Sequence, residues 1–321
     1  MDTATVRNSE SIKTRGLAAR LRKIMVVIDP TVHEQPALQK AVRIAARCNS
    51  SLELYVCDAQ QEIPESWAGG SRFEEYRELT RLRTLTELQH LAGPIKQQGL
   101  EVSLVCEWHA LLEQGIGYHV IRTQPDLVVK ETHRHAAMSR AMLGRTDWSL
   151  IRQLPAPLLL TRAHDWKSPP RICAAVDPCH PADRAVALDA EIVEYSRVLA
   201  DALEGSLDVC HVLQTPPHLP GDTVTHEQKA AAHARARSLV KELAWRGAAT
   251  TQFAEGAPAE GLKRLVQERK PDVLVMGASS RSRWTHAGPA GTAAQILESL
   301  ECDLMVIKSP GFVSPLLVTE D

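Results

Sequence analysis

The chain has 321 residues, enough for about two domains at ~100–200 residues each, and 44% of it is hydrophobic against 24% charged. Its 37 Lys and Arg nearly balance 39 Asp and Glu. That excludes an overall field for nucleic acid or an anionic membrane, so neither is an expected partner. No apolar run approaches the ~20 residues of a membrane span, and the first 20 residues lack the apolar stretch of a secretory signal and read as a tail. Seven cysteines at 48, 57, 106, 173, 179, 210 and 302 form no Cys-x-x-Cys pair. Buried free thiols in a reducing cytoplasm are the expectation.

In chain order, the first apolar run is IMVVID at 24–29, and PALQKAVRIAARC at 36–48 follows it. Ala37, Leu38, Ala41, Val42, Ile44, Ala45 and Cys48 lie along one side of that predicted helix. Strand-like runs then come at LELYVC (52–57), VSLVC (102–106), DLVV (126–129) and PLLLT (157–161). After HDWKSPP at 164–170, where Pro169-Pro170 block helix and ladder alike, the pattern begins again. Its runs are ICAAVD, LDVCHV, TTQFAE, DVLVMG and DLMVIK, with the helical pattern KAAAHARARSLVKELAW at 229–245 among them.

The second half repeats the first. KIMVVIDP at 23–30 recurs as RICAAVDP at 171–178, 148 residues later. QPDLVVKE at 124–131 recurs as KPDVLVMG at 270–277, and APLLLTR at 156–162 as CDLMVIK at 302–308, each 146 residues later. Three blocks in one order at nearly constant separation mark a duplication. Strands apolar nearly throughout, alternating with helices, require parallel sheets and right-handed crossovers. The predicted fold is α/β, with two tandem doubly wound five-stranded parallel-sheet domains over residues 21–165 and 170–312. Each should carry a ligand crevice at the carboxyl ends of its strands.

Both halves place Asp-Pro after the first strand, as Asp29-Pro30 and Asp177-Pro178. After the fourth strand the second half has GASSRSRWTHAGPAGT (277–292) and the first ETHRHAAMSRAMLGRT (131–146). A Gly/Ser/Thr-rich segment before a helix (AAQILESL at 293–300, DWSLIRQL at 147–154) suits anions, because backbone N–H groups and the helix dipole converge there. His133 and His135 read as loop residues with no third ligand, and no metal site is expected. His109, His119, His180 and His211 are scattered, and His211 within LDVCHV reads as a strand residue. Arg281, Arg283, Lys263 and Arg264 read as a solvated basic face.

On these residues, with the TDW of 146–148, the chain resembles the universal stress protein family, specifically its tandem-domain E type. The resemblance implies a Rossmann-like, adenine nucleotide alpha hydrolase-like fold. Nucleotide-binding members carry an Asp after the first strand, and after the fourth Gly-x2-Gly-x9-Gly with Ser, Thr or Asn next. Asp177 matches the acid and Gly277 the first glycine. Ser280 stands at the second, Ala290 at the third, and Gly291-Thr292 follow at once. The implied ligand is ATP or a related adenine nucleotide, with no metal beyond nucleotide-bound Mg, held by Asp177, Gly277, Ser280, Gly291 and Thr292. In the first half Glu131 replaces the first glycine and Arg134 the second, Gly144 alone echoes the third, and a carboxylate at the phosphate mouth argues against a nucleotide there.

No catalytic signature is present: no Gly-x4-Gly-Lys-Ser/Thr, Gly-x-Ser-x-Gly, His-Glu-x-x-His or Gly-x-Gly-x-x-Gly. The expected function is therefore non-catalytic binding of a small ligand in a cytoplasmic stress-response protein, with an implied role in resistance to DNA-damaging agents. Two other readings use the same crevice: a slow ATPase or nucleotidyl-transfer enzyme, and a carrier of an apolar metabolite. The family also implies that the last strands, Leu158–Thr161 and Leu304–Ile307, pair as an intramolecular pseudo-dimer, with a homodimer as the other use of those edges.

Overall fold

The computed structural model describes residues 20–58, 71–132, 143–179, 183–214, 225–246, 249–278 and 300–317. These divide into two compact units. In the first, β1 (Lys23–Val27) is followed by α1 (Pro36–Cys48), β2 (Ser51–Asp58), α2 (Ser71–Gln97), β3 (Val102–Trp108), α3 (Leu112–Thr123), β4 (Leu127–Glu131), α4 (Arg145–Gln153) and β5 (Leu158–Thr161). Its sheet runs β3-β2-β1-β4-β5 and every pairing is parallel. In the second, β6 (Arg171–Ala175) leads to α5 (Asp183–Ala202), β7 (Ser206–Leu213), α6 (His226–Arg246), β8 (Thr250–Glu255), α7 (Pro258–Arg269), β9 (Val273–Ala278) and β10 (Asp303–Lys308). That sheet runs β8-β7-β6-β9-β10, again parallel throughout, so it repeats the order of the first.

The order follows from burial. Four of five residues in β4 and all six in β10 are buried, because helices cover both faces of each sheet. α1 starts with a proline at its first turn, where no N–H is needed, and ends at Asn49 in the left-handed conformation, whose N–H reaches Ala45 O. Its buried stripe differs from the sequence expectation at two positions: Lys40 is buried and Val42 is half-buried.

The duplicated Pro-Asp has a structural reason in both units. α3 ends at Gln124 (φ 45) and α7 at Lys270 (φ 46), because the next residue is proline and cannot continue a helix. The aspartate then ties the start of the first strand. Asp126 Oδ2 accepts the Arg22 and Lys23 N–H groups at 2.8 and 2.9 Å. Asp272 accepts the Lys167 and Arg171 N–H groups at 2.9 and 2.8 Å through its two oxygens.

The segment after the first unit docks on the second: Trp166 is buried and its indole N–H donates to buried Asp303 at 2.7 Å. Residues 313–317, which the sequence reading left outside both domains, belong to the first unit. Leu316 fills the space above Gly117 of α3, where an added Cβ would lie 2.2 Å from its Cδ1. All seven cysteines are free. Five are buried, Cys106 is half-buried and Cys179 is exposed.

Candidate functional site

In the second unit Ala175 pairs with Met276, so the residues that follow each lie side by side at the carboxyl ends of β6 and β9. Asp177 and Gly277 are therefore brought to one place, as a crevice there requires. Ser280, Gly291 and Thr292 lie outside the described residues, as do Arg134 and the two histidines at 133 and 135. Both Asp177 and Gly277 are half-buried. The Asp177 carboxylate makes no hydrogen bond with any described residue. Its backbone N–H donates to Asp189 Oδ1 at 3.0 Å.

Gly277 faces α5 rather than open space. A Cβ built there would come within 2.6 Å of Leu188 Cδ2 and 3.1 Å of Ile192 Cδ1. The glycine lets the helix approach the strand, so a side chain at this position disturbs the packing.

Two residues of this corner were not singled out as site residues. His211, on β7, is buried, and its Nδ1 lies 2.9 Å from Val176 O, the carbonyl just before Asp177. Nδ1–H donates there, since the carbonyl can only accept. Asp189 is 4% exposed, and its Oδ2 has no hydrogen-bond partner among the described residues. Burial pushes its pKa up to about 7; the Asp177 N–H bond pulls it down and the Asp177 charge pushes it up. Sequence held a signal for it: Asp189 shares the α5 stripe with Ile192, Val193 and Ser196, where an apolar residue is the rule. Nearby, the Cys179 thiol is raised by burial and by Asp177, and lowered by Arg235.

The corresponding corner of the first unit is closed by its own side chains. Asp29 Oδ1 accepts the Thr31 N–H at 2.8 Å and the Thr31 hydroxyl at 2.6 Å. Lys130 of β4 is buried and donates to Asp147 Oδ1 at 2.9 Å and to Glu131 O at 2.8 Å. The other oxygen of Asp147 caps α4 through the Gly144 N–H at 3.0 Å. Lys40, buried on α1, donates to Arg162 O at 2.8 Å.

A second charged cluster lies between β2, β3 and α3. His119, 2% exposed, sets Nε2 2.7 Å from Glu53 Oε1 and Nδ1 3.1 Å from Glu107 Oε1. Lys23 reaches Glu53 at 2.8 Å, and Arg122 bonds Glu107. Burial alone raises Glu53 and Glu107, but the bonds from His119, Lys23 and Arg122 outweigh it and hold both below the usual carboxylate range. In the sequence His119 is one of several scattered histidines, because its partners are on distant strands. A pocket of about 210 Å³ lies beside this cluster, lined by Glu74, Arg77, Glu78, Arg81, Cys106, Glu107 and Trp108. Arg77 lies over the Trp108 ring at 4.8 Å, and Arg81 pairs with Glu78, so its charges are already engaged. Among the described residues no three His, Cys, Asp or Glu are arranged to hold a metal ion.

The sequence profile of the universal stress protein family matches residues 20–162 and 170–308. The chain belongs to the universal stress protein family. It is 24% identical over 315 residues to universal stress protein E of Escherichia coli (strain K12), covering 94% of this chain and 99% of that one. It is 22% identical over 315 residues to universal stress protein E of Photorhabdus laumondii, covering 94% of this chain and all of the relative. Among solved structures, a functionally unknown protein from Pseudomonas aeruginosa PAO1 matches with a TM-score of 0.72 at 24% identity, over 92% of this chain and 95% of that one. A universal stress protein from Archaeoglobus fulgidus matches at 0.60 and 12%, over 89% and 98%. The tandem arrangement of universal stress protein domains makes this a stress-response protein. No described helix is long and apolar enough to cross a membrane.

Proposed function

We propose that this protein binds an adenine nucleotide, ATP or a close relative, in the crevice of its second unit and responds through conformation rather than turnover. The working compartment in this reading is the cytoplasm, and the response is survival of stress, DNA-damaging agents included. One observation carries the choice of half: the Asp177 carboxylate has no hydrogen bond among the described residues, whereas Asp29 is spent on Thr31. An unengaged carboxylate is an acceptor for base or sugar hydroxyl, the role that resemblance assigns to Asp177. In the first unit the buried Lys130–Asp147 pair and the carboxylate of Glu131 occupy the same end of the sheet.

Isothermal titration of ATP into the full-length protein tests the reading. Asp177→Asn is expected to weaken binding by a charge-assisted hydrogen bond, about 1.5–3 kcal/mol. Asp29→Asn should leave the affinity unchanged. Equal losses in the two variants, or none in either, would sink the assignment. Phosphate release at a rate abolished by Asp177→Asn would replace the binding reading with a slow ATPase.

A further inference from the structure

Asp189 is a buried carboxylate on a largely apolar stripe of α5. Its neighbours on the α5 stripe are Leu188, Ile192 and Val193, all buried. One oxygen accepts the Asp177 N–H, and the other is enclosed with no partner among the described residues. An enclosed carboxylate oxygen with no donor is costly, and a proton on it is the available relief.

We propose that Asp189 is a positioning residue of the second crevice: its Oδ1 braces the Asp177 turn, and a proton on Oδ2 removes the charge that would oppose an anionic nucleotide. This rests on the nucleotide reading above and adds its regulation. Among the described residues, Asp177 and Cys179 are the groups with which Asp189 interacts by charge. Asp177, beyond the end of β6, is the group whose charge acts on it. β6 contributes the Cys173 thiol, held neutral by Cys210 and burial. β7 contributes His211, bonded to Val176 O, and Asp208, held by Arg269 at 3.0 Å. α6 contributes Arg235, whose charge acts on Cys179, and β10 contributes Lys308, which lies over the Phe312 ring. β9, of sequence VLVMGA, has no titratable side chain.

Burial and Asp177 together bring Asp189 to half-ionisation near pH 7. A triphosphate brought to the crevice adds negative charge and favours the neutral form further, so binding takes up a proton. By linkage, affinity falls as pH rises through 7, by about tenfold for each unit that the nucleotide adds to the Asp189 pKa.

The test uses the full-length protein and ATP, with the affinity read by calorimetry at pH 6 and pH 8. Phosphate itself titrates in this range, so the readout is the difference between wild type and Asp189→Asn, which keeps the oxygen that accepts from Asp177. For a one-unit rise in the Asp189 pKa on binding, wild type is expected to lose about fivefold more affinity across the interval than the variant. Identical pH profiles would overturn the proposal. Carboxyl-carbon NMR of the ligand-free protein supplies a second readout, with an Asp189 midpoint near 7 that falls in Asp177→Asn. A midpoint near 4 would overturn the proposal whether or not ATP binds. Lack of ATP binding at both pH values would instead overturn the nucleotide reading and the linkage, while a midpoint near 7 would still support the proton on the brace.

Discussion

The two halves have one topology and opposite interiors at the carboxyl ends of their central strands. By the repeat spacing, Leu188 of the second half corresponds to Lys40 of the first, Gly277 to Glu131 and Met276 to Lys130. The second half packs Leu188 and Ile192 onto a bare glycine, and the Asp177 carboxylate has no hydrogen bond among the described residues. The first half seats a buried Lys–Asp pair and a buried lysine there and folds Asp29 onto Thr31.

The largest effect is expected where the first half is most committed. Lys130→Met installs the residue of the second half and leaves Asp147 buried without its partner, at a cost of about 3–5 kcal/mol. Adding Asp147→Leu should recover part of that loss in chemical denaturation. A neutral Lys130→Met would show that the pair is not what closes this corner.

The halves should also answer pH in opposite directions. Glu53 and Glu107 are held below their ordinary value of 4.5, so their contribution to the first half is present above that pH and lost as pH falls through the folded values. Asp189 is raised from 3.8 to about 7, so the second half is most favoured at low pH and loses stability as pH rises between those two values. Asp189→Asn should stabilise the second half above pH 7, by up to about 4 kcal/mol, and have no effect below pH 4. Hydrogen exchange on the intact chain, read separately at β2–β3 and β6–β9, distinguishes the two signs.

A smaller loss, about 1–3 kcal/mol, is expected of Gly277→Ala, because the new Cβ meets Leu188 and Ile192. Leu188→Ala in the same chain should relieve it, and a thermal melt that shows no rescue would contradict the packing role. The smallest effect sharpens the contrast most. Cys179 stands where the first half has Thr31. Cys179→Thr should tie Asp177 as Thr31 ties Asp29 and weaken ATP by about 1 kcal/mol, the net worth of one hydrogen bond. Unchanged affinity in calorimetry would mean that the turn, not the carboxylate, decides ligand access.

The sequence by itself determined the duplication, the parallel five-stranded sheets and the placing of Asp177 and Gly277 at one end of a sheet. Those features are carried by local patterns: strands buried on both faces are apolar throughout, crossovers have one hand, and a proline after a helix ends it. The repeat spacing also made the inequality of the halves readable, since Glu131 falls where Gly277 does. Only the tertiary structure decided what each polar residue does. Lys40 sits on an apolar stripe, and its amine is satisfied by a carbonyl 122 residues away. His119 draws its partners from two strands, and Gly277 proves to admit a helix. Asp189 shifts because burial and Asp177 act on it together, although the two are 12 residues apart in the chain. Apolar burial follows a periodic pattern that one segment can show, whereas hydrogen bonds and charge act between particular atoms that the fold alone brings within 3 Å.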